Sequence, residues 1–332
     1  MRDAFNATRF ERGSQAGHYE SWFQRANHPT RPEAFWIRYT IFSPKGRPED
    51  AIGELWAIHF RRDGEHTRVV AVREEHPIDA CTFATSGIDT SIADARLRDG
   101  MLTGRAATSD HAIAWDLTYK GGTRPLLLLP ERLYAGGFPK AKALVGTPLC
   151  TYRGHLEVDS ERVDIDGWVG SQNHNWGSKH TDEYAWGQVA GFDDEPDAFL
   201  EVSTARVHLG PIKTPWLTPI VLRIGDREFA VNALLRAVRN KGRYDTRTLE
   251  WQFSGSHDGT HIEGRVSAPR NSFVALPYGN PPGGVKTCLN CKLASCELHL
   301  TEGGRSRRLY TAHRAAFEIG TDATDHGVAL AF

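Results

Sequence analysis

The stretch FWIRYTIF, residues 35 to 42, sets Phe35, Ile37, Tyr39 and Ile41 on one face of an extended chain. Successive side chains leave a strand on opposite sides, so a period of two marks a strand with a buried face. IAWDLTY, residues 113 to 119, repeats the pattern with Ile113, Trp115, Leu117 and Tyr119. Between such runs stand Asp63-Gly64, Asp99-Gly100, Gly225-Asp226, Asp258-Gly259 and Gly303-Gly304. These are hairpin dipeptides, because tight turns need positive φ that glycine, aspartate and asparagine tolerate. Helical periodicity is nearly absent; NALLRAVRNKG, 232 to 242, is the best helix candidate and also reads as strand plus turn. The expectation is an all-β chain of antiparallel meanders.

At 332 residues the chain can bury a large core and fits two units. HLGPIKTPWLTP, 208 to 219, gathers three prolines and a glycine. Proline cannot sit in a central strand, so this segment is the expected linker. The expected domains are 1–207 and 208–332, each holding enough short strands for a closed or nearly closed antiparallel barrel.

Forty basic against forty-one acidic residues give a net charge of −1, which supplies no field for gathering nucleic acid or anionic membranes. The first twenty residues hold no apolar run of signal-peptide length, and the greasiest stretch, Leu126 to Leu129, is far short of a bilayer span. Five cysteines do not make a disulfide framework and suit a reducing compartment, so the expected location is cytoplasmic. Cys288, Cys291, Cys296 and His299 match a metal-ligand spacing. In a strand, however, Leu289, Cys291 and Leu293 share one face and Cys288 takes the other, so buried thiols are expected and no metal.

The densest chemistry lies in SQNHNWGSKHTDEYAWGQ, residues 171 to 188. Together with HYESWF (18 to 23), FWIRYTIFSP, IAWDLTY and YGNPPGG (278 to 284), its NHNWG pentapeptide resembles the tandem lipocalin-like family. That family includes carotenoid 1,2-hydratase (hydroxyneurosporene synthase), AttH-type bacterial proteins and, more distantly, tocopherol cyclase and fungal Diels-Alderases. The resemblance implies two β-barrels, an apolar ligand pocket in or between them, and proton-transfer chemistry on polyenes or prenylated rings without a cofactor. His174 and Trp176 match the histidine and tryptophan of the hydratase motif. Where the hydratase places an aspartate proton donor, this chain offers Glu201 in AFLEVSTAR.

The residues support that reading on their own terms. Protonating an alkene makes a carbocation, which calls for a carboxylic acid kept neutral by an apolar setting and for aromatic faces. Glu201, between Leu200 and Val202, is the candidate acid, and His174 would orient it or a water. Trp176, Trp186 and Tyr184 supply aromatic faces; Asn173, Asn175 and Gln188 are amides suited to a carbonyl or hydroxyl group. Glu20 either joins this interior or is a surface charge beside Arg25. The bland alternative makes the pentapeptide a strand corner at Gly177 with Trp176 and Trp186 as packing. The acidic run Asp193, Asp194, Glu195 and Asp197 reads as a solvated hairpin tip, and Asn280 to Gly284 as a rigid loop or ordinary turn.

No nucleophile elbow, P-loop or dinucleotide fingerprint occurs. The expected function is a hydratase- or cyclase-type lyase or isomerase acting on a hydrophobic terpenoid, polyene or polyketide-like molecule. The alternatives are a carrier of such a ligand and a barrel whose role is partner contact.

Overall fold

A computed structural model describes residues 2–122 and 124–332. It is all-β, with a 12-stranded and a 10-stranded antiparallel sheet and one small two-stranded hairpin among the described residues. All five predicted turn dipeptides sit at hairpin connections; Gly64, Gly100, Gly225 and Gly259 adopt positive φ there, as do Gly303 and Gly304. The helix candidate shrinks to Leu234–Ala237.

The two sheets repeat one topology. The first begins with His18–Asn27, Glu33–Ser43, Ile52–Asp63 and His66–Pro77, and ends in the long hairpin Ala141–Val158 and Glu161–Gly177, whose second strand returns to pair with His18–Asn27. The second begins with Glu183–Ala190, Ala198–Arg206, Ile220–Ile224 and Arg227–Val231. It closes in the same manner, with Arg305–Thr321 of the hairpin Val285–Glu302 and Arg305–Thr321 returning to Glu183–Ala190.

Two expectations need correcting. Neither sheet closes into a barrel through hydrogen bonds. In the first sheet the end strands, His66–Pro77 and Cys81–Phe83, follow one another through the single turn Ile78–Ala80, and three residues are too few to ladder along twelve. The sheet instead curls until His66–Pro77 packs beside Met101–Ala107. The change of sheet also comes at 178–182 and not at 207/208. Glu183–Ala190 and Ala198–Arg206, expected in the first unit, pair in the second sheet. The proline-rich 208–219 segment is an excursion between two directly paired strands, carrying the hairpin His208–Leu209 and Ile212–Lys213.

Parity along the strands decides where the cores lie. On the opening strands of the first sheet, Trp22, Phe35, Ile37, Tyr39, Ile41 and Leu55 turn into the curl, where they meet Trp115, Tyr152 and Trp168. Their neighbours Phe23, Trp36, Trp56, Ile58 and Phe60 turn outward, into one cluster with Ala185, Leu200, Trp251, Leu289, Leu293 and Phe317 of the second sheet. A single apolar cluster thus runs from the outer face of the first sheet across the seam into the second. Buried Arg25 fixes the alignment: its Nε donates to Gln188 Oε1 at 2.8 Å, and Asn27 Nδ2 donates to the Lys292 carbonyl at 2.6 Å.

Candidate functional site

The NHNWG strand, Glu161–Gly177, sends alternate residues to two places. His174 and Trp176 face one way, Asn173 and Asn175 the other, and the side chains expected to form one site are divided between them.

On the first side His174 is fully buried. Its ring stacks on Trp22 at 4.8 Å and lies 4.7 Å from Trp176. Nδ1 faces the Phe5 carbonyl at 2.7 Å and Nε2 faces Glu20 Oε1 at 2.8 Å. Each ring nitrogen thus meets an oxygen of its own, which fixes the plane of the ring. Glu20 also accepts from Thr8 Oγ1 (2.9 Å), the Arg9 amide (2.9 Å) and His18 Nε2 (3.0 Å). Burial alone would raise its carboxyl, but the hydrogen bonds from His174 and His18 outweigh burial and hold it at about 2. Asn6 completes the arrangement through paired amide bonds to Gln172 and by accepting from Trp22 Nε1. Arg9 lies over the Trp176 ring. His174, Trp176 and Glu20 therefore clasp the N-terminal segment. Gly177 ends the strand where a Cβ would stand 2.0 Å from the Lys140 carbonyl.

The second side is the seam. Asn173 Oδ1 accepts from Gln188 Nε2 at 2.8 Å, and that same nitrogen lies 2.8 Å from Glu201 Oε2. Trp186 Nε1 donates to Glu201 Oε1 at 2.8 Å. Gln188 is held in turn by Arg25 and by Ser171 Oγ, at 2.6 Å from Oε1. Glu201 is only 2% exposed. Burial is the dominant influence and pushes its carboxyl up to about 7, against the hydrogen bonds from Trp186 and Gln188 and the charge of Arg25; nearby Glu318 adds to the rise. Register explains the grouping, because Gln188 stands opposite Glu201 on one neighbouring strand while Trp186 stands opposite Glu318 on the other.

Sequence reasoning missed Lys292, Glu318 and Asn290. Lys292 Nζ, completely buried, donates to Glu318 Oε1 at 2.8 Å and Asn290 Oδ1 at 2.6 Å. It sits between two indoles, 5.6 Å from Trp36 and 5.8 Å from Trp186. A charged residue inside the apolar run LNCKLASC was the available signal, as was the glutamate in AAFEIG. Arg38 also faces this seam, over the rings of Trp36, Trp56 and Tyr278. Two buried polar atoms among the seam residues have no protein partner: Trp36 Nε1, a donor, and Asn175 Oδ1, an acceptor. Such atoms are rare in folded proteins, and each calls for an explanation.

Tyr184 reaches the edge of the seam, lying across Gly320, where a Cβ would fall 2.0 Å from its ring. With His180, Tyr278 and Cys288 it lines a cavity of about 10 Å3. Burial lowers His180 to about 3, so that ring is neutral. A larger depression of about 470 Å3, lined by Lys241, Arg243, Gln252, Glu263 and His299 among others, contains none of the predicted residues.

The cysteines are buried and form no disulfide among the described residues. Cys288 faces Tyr184 and Glu318, Cys291 joins Leu289 and Leu293 in the core, and burial raises both thiols. Among the described residues no group of three or more potential ligands could hold a metal ion. Likewise no helix is long and apolar enough to cross a membrane. The acidic hairpin tip is more than solvated, since Asp193 accepts from Arg314 and the Ala312 amide and Glu195 pairs with Arg307. Asn280 accepts from the His180 amide, tying the 280–284 turn to the segment that joins the sheets.

This architecture defines an AttH-type, lipocalin-like fold, the one implied by the NHNWG motif. An AttH-type protein from Nitrosomonas europaea shares it with a TM-score of 0.56 at 11% identity, over 94% of this chain and 96% of that one. Kievitone hydratase from Nectria haematococca matches with a TM-score of 0.55 at 11% identity, over 92% and 89%. CghA matches at 0.53 and 12% identity, over 93% and 89%. In sequence, an uncharacterized protein of Mycobacterium tuberculosis is 26% identical over 294 residues, 87% of this chain and 83% of the relative. No family model matches the chain.

Proposed function

We propose that the chain is a hydratase- or cyclase-type lyase or isomerase acting on a hydrophobic small molecule of terpenoid, polyene or polyketide type, with Glu201 as the proton donor. One observation carries the reading. Glu201 is a desolvated carboxyl with its pKa near neutrality, set against an indole in a seam that also offers the unpartnered Trp36 Nε1 and Asn175 Oδ1. A general acid works best when its pKa lies near the ambient pH, and Trp186 offers a face to developing positive charge. A mere carrier of apolar ligands has no use for a raised carboxyl beside a buried ion pair. Kinship of fold with a protein named as a hydratase agrees with this chemistry. The reading takes the seam between the sheets as the site, since Glu201, Trp186, Gln188 and Asn173 come together there.

The test begins with solvent extraction of the protein purified from its source and mass spectrometry of any hydrophobic compound released. With that compound, Glu201→Gln should lose at least about 100-fold in turnover while affinity stays within a few-fold. Undiminished turnover would remove Glu201 from the mechanism.

A further inference from the structure

Glu201 has a counterpart on the opposite side of the same strand. Trp186 is flanked by Ser203 and Glu318 on its two neighbouring strands, and Gln188 by Glu201 and Ala316. Strand pleating therefore points both carboxyls to the seam face, two strand spacings across the sheet and two residues along it, roughly 12 Å between their backbone positions, with the Trp186 indole between them. Their surroundings differ in kind. Glu201 receives only the neutral donors Trp186 and Gln188. Glu318 accepts from Lys292 Nζ at 2.8 Å and from the Asn290 amide at 3.0 Å, and its side chain keeps 12% exposure. Glu318 Oε2 also meets the Cys288 thiol at 3.5 Å, and Cys288 lines the cavity of about 10 Å3. That volume is close to the minimum a single water requires, and Tyr184 and His180 are polar groups on its wall.

We infer that Glu318 is the base of the site, activating the water that adds to the substrate, so that Glu201 and Glu318 act as an acid–base couple across Trp186. This rests on the reading of Glu201 as acid. In the reaction the Glu201 carboxyl gives its proton to one alkene carbon, leaving a cation at the other. A water oxygen bonds to that cation, and the water's second proton passes to Glu318. One water is added, Glu201 ends as carboxylate and Glu318 as acid; Glu318 then gives its proton to solvent and Glu201 takes one from solvent, which restores both groups for the next turnover. Lys292 is a positioning residue, holding Glu318 Oε1 at 2.8 Å and directing the carboxyl at the seam.

The two roles separate in heavy water. Kievitone, geraniol and squalene serve as alkene probes, incubated with the full chain in D2O enriched in oxygen-18. Deuterium entering recovered alkene reads protonation, and oxygen-18 in product reads water addition. The wild type should show both with at least one probe. Glu201→Gln should lose both, whereas Glu318→Gln should lose oxygen-18 uptake by at least about 100-fold and keep deuterium exchange. Because E318Q leaves the Lys292 charge buried, the paired variant Glu318→Gln with Lys292→Gln is made alongside, and it should behave identically. Oxygen-18 uptake that survives in a folded Glu318 variant overturns the assignment, as does loss of deuterium exchange there. A wild type that exchanges deuterium without adding water overturns Glu318 alone. One that does neither removes the Glu201 acid and Glu318 with it.

Discussion

At the scale of single residues, Glu201 makes a measurable claim about stability. Its ordinary pKa is 4.5 and its folded value about 7, so the folded state holds the proton more tightly than the unfolded chain. A carboxyl raised in this way contributes stability in full below about 4.5, and loses it as pH climbs through 7. The shift corresponds to about 3 kcal/mol. Urea unfolding of the wild type should therefore weaken between pH 5 and pH 8.5 by up to that amount through this group. Glu201→Gln should abolish that part of the slope; an unchanged slope would mean that Glu201 is ionised when folded.

At the scale of elements, the N-terminal segment is a strap whose fastening is chemical. Deleting residues 2–12 removes the Thr8 and Arg9 donors from Glu20 and the Phe5 acceptor from His174, leaving a buried charge short of partners. The expected cost is about 3 kcal/mol in urea unfolding, accompanied by a change in emission from Trp22 and Trp176. An unaltered midpoint would make the strap a passenger. In the intact chain the lowered carboxyl of Glu20 contributes stability above about pH 4.5 that disappears as pH falls through 2.

The strands and their turns were legible because each rests on local grammar. FWIRYTIF lies within Glu33–Ser43 and IAWDLTY within Ala112–Lys120, and every glycine-bearing dipeptide named above is a turn. The site was only half legible. Asn173, Trp186, Gln188 and Glu201 do meet, with Tyr184 apart at the seam's edge against Cys288, but His174, Trp176 and Glu20 belong to the strap, since a one-residue step along a strand reverses the face. Which face of the NHNWG strand meets the second sheet is decided by contacts hundreds of residues apart, such as Arg25 with Gln188 and Asn27 with Lys292. For the same reason the prolines of 208–219 misled, for they mark a chain leaving the sheet and not a change of sheet.

At the scale of the whole molecule, the shared cluster of Phe23, Trp36, Trp56, Ala185, Leu200 and Leu289 makes the two sheets interdependent. Residues 1–180 expressed alone would expose Phe23, Trp36, Trp56 and Phe60 together with Arg25 and Arg38, so this half should aggregate or remain partly unfolded. The full chain should melt in one cooperative transition by calorimetry. Two separate transitions, or a soluble and well-ordered isolated half, would show that the seam contributes little to folding.

The repeated topology of the two sheets carries a further consequence. Because the candidate groups gather where the two repeats face each other, each curl's stuffing answers to packing and tolerates exchange among greasy side chains of similar bulk. On the proposed reading, new chemistry in such a scaffold requires edits only along the facing surfaces, at alternate positions of the strands that meet there.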